Sequence, residues 1–346
     1  MCKINLKIFV LAILLFVCSI FSGCSLFGSE ELFQRQSYAM GASAVMSAYG
    51  SDADAVLKLC EDELKRLDKL FSLSDPDSDI YKINSAAGGA VTVSGEVSSL
   101  IKRSIDISER TLGAFDITIA PIVKLWGFYD GLPKIPTTDD LYSIFFNIGY
   151  ENITLDQNSV ALKPEMMMDI SGMTKGYALD RMKSILSSYD VKNAKISFGD
   201  TTLLMGSTPD GKGWSLPIPD PLEPLDSTMC VLKASNVCVA TSHIYQNYFK
   251  RGDTVYHNII DPADFFPADN GIISVTVIAS NGAEAQALSS ALLVLGASSA
   301  SDFWRNHQGF EAIIVCDDMQ VLITPGLSDK LFLESENTPY SFSLLS

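Results

Sequence analysis

Positive charge is in short supply in this sequence: 25 Lys and Arg stand against 41 Asp and Glu in 346 residues, a formal charge of −16. The first 23 residues carry only Lys3 and Lys7, so the chain beyond them sits at −18. A surface of that sign repels nucleic acid and anionic lipid, and neither is expected as a partner. Cysteine is also sparse. Beyond the first 24 residues only Cys60, Cys230, Cys238 and Cys316 remain, with no CxxC spacing and no Cys/His cluster. A disulfide scaffold and a zinc site are therefore not indicated. The four thiols are expected to be buried and apolar, with Cys230 and Cys238 able to pair across a hairpin in an oxidising compartment. There is no internal repeat and no low-complexity tract. With 47% apolar and 19% charged residues, the chain is too apolar to be disordered and long enough for one large or two modest domains.

The N-terminus has the pattern of a targeting segment. Lys3 and Lys7 precede an apolar stretch from Ile8 to Phe21, which is short for a membrane span and ends in Ser22-Gly23-Cys24. This resembles a bacterial lipobox, with Phe21 where that pattern usually has Leu. The resemblance implies a signal peptide over 1–23, cleavage before Cys24 and lipid on its sulfur. A short tether over 24–34 would then hold a globular domain over 35–335 at the extracytoplasmic face of the bacterial cell membrane. An ordinary cleaved signal or an uncleaved anchor would export the same domain.

The remainder alternates two periodicities. Val56, Cys60, Leu64, Leu67 and Phe71 fall at helical spacing after Asp52, and Val97, Leu100, Ile101 and Ile105 do so after Ser94, a candidate N-cap. Ala178, Met182, Ile185 and Tyr189 form a third helical face, and Ala285, Leu288, Leu292 and Leu295 a fourth. Strand-like runs cover Ser37–Ala48, Ala194–Phe198, Thr228–Leu232, Val237–Ala240, Ile273–Ala279, Ala312–Cys316 and Gln320–Thr324. Pro and Gly at Asp130–Pro136 and Pro209–Pro224 predict long surface connections. The pattern is that of a mixed α and β protein.

Several segments then carry an ordered series of motifs. Met40-Gly41 comes first, then Phe71-Ser72 with Pro76-Asp77-Ser78. Gly113-Ala114-Phe115-Asp116-Ile117-Thr118 follows, with Leu125-Trp126-Gly127-Phe128 after it. Next come Asp169-Ile170-Ser171-Gly172-Met173-Thr174-Lys175-Gly176-Tyr177-Ala178-Leu179-Asp180, then Thr241-Ser242, Ile259-Ile260-Asp261-Pro262, and Leu295-Gly296. The series resembles the FAD:protein FMN transferase (ApbE) family over about residues 35 to 330. The resemblance implies an α+β, T-fold-related architecture of antiparallel sheets and packed helices. It also implies Mg²⁺-assisted transfer of FMN from FAD to a threonine of a partner flavoprotein, with AMP released. Carried over position by position, it places Met40, Ala114, Phe115, Asp116, Asp169, Lys175 and Ile259 around FAD. Lys175, just inside a helix start, is suited to an anion such as the pyrophosphate.

The departures from the family pattern fall on the chemistry. Asn258 stands where the family has a histidine that serves as general base, and an amide accepts no proton at neutral pH. His257 is adjacent, but neighbouring side chains of an extended segment point to opposite faces. The positions implied to hold Mg²⁺ are Gly172, Gln286 and Ser290. The i, i+4 spacing of the last two is retained, but the anionic ligand that Mg²⁺ ordinarily takes is absent, so only weak binding is expected. Asp200, His243 and Asp264-Phe265 replace glycines or small residues and are expected to narrow a cleft. Ser74 lies where many relatives have a stacking tyrosine, leaving Tyr38, Phe115 or the Phe265-Phe266 pair as substitutes. Two readings follow: a transferase with a slowed active site, or a catalytically silent lipoprotein that binds a flavin, a nucleotide or a partner protein.

Overall fold

The computed structural model describes residues 31–129, 131–223, 227–333 and 338–345. The segment expected to be a signal peptide with a lipobox, and Cys24 with it, lies outside them. Among the described residues the centre is a nine-stranded sheet whose spatial order follows chain order: Leu32–Ala39, Ala42–Tyr49, Ala194–Phe198, Thr201–Met205, Val237–His243, Ile272–Ala279, Phe310–Cys316, Gln320–Ile323 and Ser341–Leu344. Every neighbouring pair is antiparallel except the last, which is parallel. This is the expected mixed architecture of antiparallel sheet and packed helices.

The central strands are buried on both faces, and their period of two divides the core. In Phe310–Cys316, the side chains of Phe310, Ala312 and Ile314 enter the main core, whereas Ile313 and Val315 enter a second core behind the sheet. The main core is closed by the helices Ala53–Leu70, Gly95–Arg110, Ser171–Ser188 and Gly282–Asn306. The second core is closed by a small sheet of Trp214–Pro219, Thr228–Ala234 and Leu331–Leu333. A third cluster gathers Ile122, Val123, Trp126, Ile260 and Phe265 at one end.

Both early helical stripes are as expected. Val56, Cys60, Leu64 and Leu67 are buried, and the Ser94 hydroxyl caps the second helix by accepting from Val97 N at 3.3 Å. In the third helix the buried stripe runs through Ala178, Leu179, Met182 and Leu186, while Tyr189 is 56% exposed at the C-cap. The expected face is thus rotated at its C-terminal end. The run Ser37–Ala48 is a hairpin and not one strand, since Met40 and Gly41 have φ of 47° and 72° and reverse the chain. The stretch Pro209–Pro224 holds the strand Trp214–Pro219, in which Pro217 and Pro219 sit in the outermost strand of the small sheet. Cys230 and Cys238 are not paired. Cys230 packs in the second core and Cys238 in the main one, and burial pushes both thiols, with Cys60, up to about 12. Cys316 is only half-buried.

Two backbone features set the position of the site. Gly176 and Gly282 lie where two helices cross, so close that a Cβ on Gly176 would sit 2.0 Å from Gly282 O. The helix Gly282–Asn306 breaks at Gly296, with φ of 78°, and the Asn270 side-chain amide donates to the freed Leu293 and Val294 carbonyls at 2.9 Å each.

Candidate active site

A cleft of about 400 Å³ opens at the end of the sheet where these two helices begin. Met40, Ala114, Phe115, Asp116, Asp169, Lys175 and Ile259 all line it, although they come from widely separated segments of the chain. Gly172, Gln286, Ser290 and Asn258 line it as well.

Each segment is held by a local device. The Met40 N–H donates to Asp68 Oδ1 at 2.8 Å, which fixes the hairpin turn. Asp116 is buried, and its carboxylate accepts from Thr118 N and Thr118 Oγ1 at 2.7 Å and from Tyr150 N at 3.0 Å. Burial raises its pKa above the ordinary carboxylate value, against those bonds. Asp169 sits just before the helix Ser171–Ser188. It accepts from Ser171 N at 2.7 Å through Oδ1 and from the Tyr129 hydroxyl at 2.6 Å through Oδ2. Desolvation, with the Asp169 charge, drives the Tyr129 phenol above its usual range. Two of the acids are thus anchored partly by backbone N–H groups.

Asp200 and His243 line the cleft as expected. The Asp200 carboxylate lies 3.8 Å from Lys175 Nζ and accepts from Gln246 Nε2 at 2.8 Å. His243 has its Nδ1 buried without a partner, and burial lowers its pKa despite the opposing charge of Asp200. Asp264-Phe265, in contrast, does not narrow this cleft. Phe265 is drawn into the third cluster, where its carbonyl accepts from Trp126 Nε1 at 2.9 Å. Among the proposed substitutes for a stacking ring, only Phe115 lines the cleft; Tyr38 is 71% exposed elsewhere. Asn258 reaches the cleft and His257 does not. His257 is buried, with Nε2 against Ala268 O at 3.1 Å, as the alternation of an extended segment requires.

The arrangement at the positions expected for Mg²⁺ is an internal staple. Gln286 Oε1 accepts from Gly176 N at 2.8 Å, and Gln286 Nε2 donates to Ser171 O at 2.9 Å. The Ser290 hydroxyl donates to Ala287 O at 3.0 Å. Among the described residues no cluster of three or more His, Cys, Asp or Glu is placed to hold a metal ion. A neutral, internally bonded donor set does not fit a resident Mg²⁺, which takes carboxylates and waters in octahedral order.

Tyr129 and Gln246 also line the cleft, and neither belongs to a motif of the sequence. Tyr129 directly follows the Leu125-Trp126-Gly127-Phe128 stretch, and that adjacency is its one signal in the sequence.

The family model of the ApbE family matches residues 40–314. The chain belongs to the ApbE family. It is 30% identical over 237 residues to the FAD:protein FMN transferase of Vibrio cholerae, across 67% of this chain and 71% of that protein. To the FAD:protein FMN transferase of Escherichia coli K12 it is 26% identical over 322 residues, across 89% of this chain and 91% of that one. The structure of the ApbE protein of Thermotoga maritima superposes with a TM-score of 0.80 at 28% identity, covering 87% of this chain and 99% of that one. The apo Pseudomonas stutzeri flavinyl transferase ApbE gives 0.79 at 25%, covering 88% and 98%. The ApbE match spans the hairpin turn, the Gly-Ala-Phe-Asp turn and both helix starts that build the cleft.

Proposed function

We propose that this chain binds FAD in the cleft and transfers FMN slowly from it to a threonine of a partner flavoprotein, releasing AMP. The observation that carries this reading is the convergence of Met40, Ala114, Phe115, Asp116, Asp169, Lys175 and Ile259 on one cleft, in a chain whose relatives are FAD:protein FMN transferases. Lys175 supplies the positive charge for the diphosphate, and Phe115 offers an apolar surface to the flavin. The acceptor hydroxyl oxygen attacks the phosphorus on the flavin side, and the bond from that phosphorus to the bridging oxygen breaks. AMP departs with the bridging oxygen, and the hydroxyl proton is given up to water. Asn258 can orient the hydroxyl but cannot take its proton, which slows turnover by about 10² to 10⁴ relative to a site with a placed base. No resident metal takes part in this scheme. The lipobox supports attachment through lipid on Cys24 at the extracytoplasmic face, where the acceptor protein would be met.

The test incubates the full chain with FAD and a threonine-bearing flavoprotein domain and follows covalently retained flavin fluorescence. Slow labelling, accelerated by Asn258→His, is expected. A second reading, a silent FAD binder, is favoured by the Gln286 staple alone. FAD binding without label at long times, even in the Asn258→His variant, would decide for it.

A further inference from the structure

Among the described residues the acids lining the cleft are Asp116, Asp169 and Asp200, and the one amine is Lys175. Asp116 and Asp169 each hold backbone N–H donors in place. Asp200 is different. It stands in the hairpin turn between Ala194–Phe198 and Thr201–Met205, and its carboxylate faces Lys175 Nζ at 3.8 Å while taking a hydrogen bond from Gln246 Nε2 at 2.8 Å. The two side chains are only 23% and 28% exposed, so their attraction is weakly screened. The same turn packs against Lys175 at Gly199, where a Cβ would lie 3.2 Å from its Nζ.

We propose that Asp200 is a specificity-determining residue of this cleft: a built-in carboxylate that occupies Lys175 and sets a charge penalty on any ligand whose phosphates must take its place. The inference rests on the FAD-binding reading given above. A phosphate that reaches Lys175 must either displace the carboxylate or sit beside it. Both like-charge contact at a few ångströms and loss of the Lys175 pair weigh against it. A ligand without phosphate meets neither cost. The cleft therefore discriminates by ligand charge at Asp200, separately from its recognition of the flavin ring.

The experiment measures riboflavin and FAD binding by calorimetry in chelator-treated buffer. It compares the full chain with Asp200→Asn, which keeps the size and the Gln246 contact, and with Asp200→Gly, which clears the turn. Asp200→Asn is expected to tighten FAD about tenfold or more and to leave riboflavin unchanged. Lys175→Ala should weaken FAD more in the Asp200→Asn background than in the unaltered chain, because only there is the amine free to serve the ligand. Equal gains for riboflavin and FAD would mean that Asp200 acts by bulk, and would overturn the proposal. So would unchanged FAD affinity in both Asp200 variants, which would leave the FAD-binding reading standing. Failure of every variant to bind either flavin would overturn that reading and this inference together.

Discussion

The side-chain oxygen of Gln286 accepts the backbone N–H of Gly176 at 2.8 Å, and this contact ties together the N-terminal parts of the two helices that frame the cleft. With the second bond to Ser171 O, the amide fills the position at which the resemblance placed an anionic metal ligand. Gln286→Ala should lower stability by about 1 kcal/mol in urea unfolding, the net worth of a typical hydrogen-bonded staple. Gln286→Asp cannot span both contacts but brings a carboxylate to the pair with Ser290. Mg²⁺ is expected to raise the melting temperature of that variant and to leave the parent unmoved; an equal shift in both would refute the staple as the cause of weak metal binding.

Gly176 illustrates how a motif can carry structure and site at once. Its missing side chain lets the helix Ser171–Ser188 touch backbone of the helix Gly282–Asn306, and Asp180, one turn on, accepts from Gly282 N at 2.6 Å and Ala283 N at 3.1 Å. Gly176→Ala would drive a Cβ against Gly282 O, and neither backbone can yield cheaply. A loss of about 3 kcal/mol or more is expected, with FAD binding falling alongside because Lys175 is next in the chain. Unfolding and FAD titration of the same preparation check both; a stable variant would mean that the crossing can open at little cost.

What the sequence made legible follows from the range of the interactions involved. Helical stripes such as Val56, Cys60 and Leu64 and the Ser94 cap are local, and periodicity finds them. The cleft residues were legible only through the ordered motif series, since the physics of a lone Gly-Ala-Phe-Asp turn does not name a ligand. Contacts between remote segments escaped. Tyr129 meets Asp169 forty residues later, and nothing near either residue announces the pairing. The strand Trp214–Pro219 was hidden by its prolines, which an outermost strand tolerates. The narrowing assigned to Asp264-Phe265 failed because the Trp126 cluster draws the ring away from the cleft.

Buried histidine gives stability a pH dependence of definite sign. Burial holds His257 below the ordinary imidazole value of 6.5, and its Nδ1 has no partner to receive the charge. The contribution is whole above that value, where both states are neutral. As pH falls below it, the unfolded chain takes the proton first, and stability declines until the lower folded value is passed. His243 acts in the same direction, whereas Asp116, Asp180 and Asp261 are raised by burial and favour the folded state at lower pH, in the carboxylate range. Urea midpoints across about pH 5 to 7 should therefore fall with acidification, and His257→Gln should flatten the slope. An undiminished slope in that variant would place the effect elsewhere.

Phe265 has φ of 70°, a conformation that costs an L side chain about 1 to 2 kcal/mol, at the position where the family pattern has glycine. Against that strain stands a ring buried among Ile122, Val123, Trp126 and Ile260, whose removal costs about 3 to 5 kcal/mol in a packed core. Packing wins, so every truncation should destabilise. The order of the truncations is the informative part. Phe265→Gly loses the ring but sheds the strain, whereas Phe265→Ala loses the ring and keeps it. The glycine variant should be the more stable of the two by about 1 kcal/mol, the reverse of the order found in ordinary helix or strand positions. Chemical denaturation of the three proteins measures this directly. If alanine proves more stable than glycine, the turn in which Phe265 N donates to Asp261 O and Asp261 N to Phe266 O, each at 2.8 Å, does not hold the backbone in the left-handed region in solution.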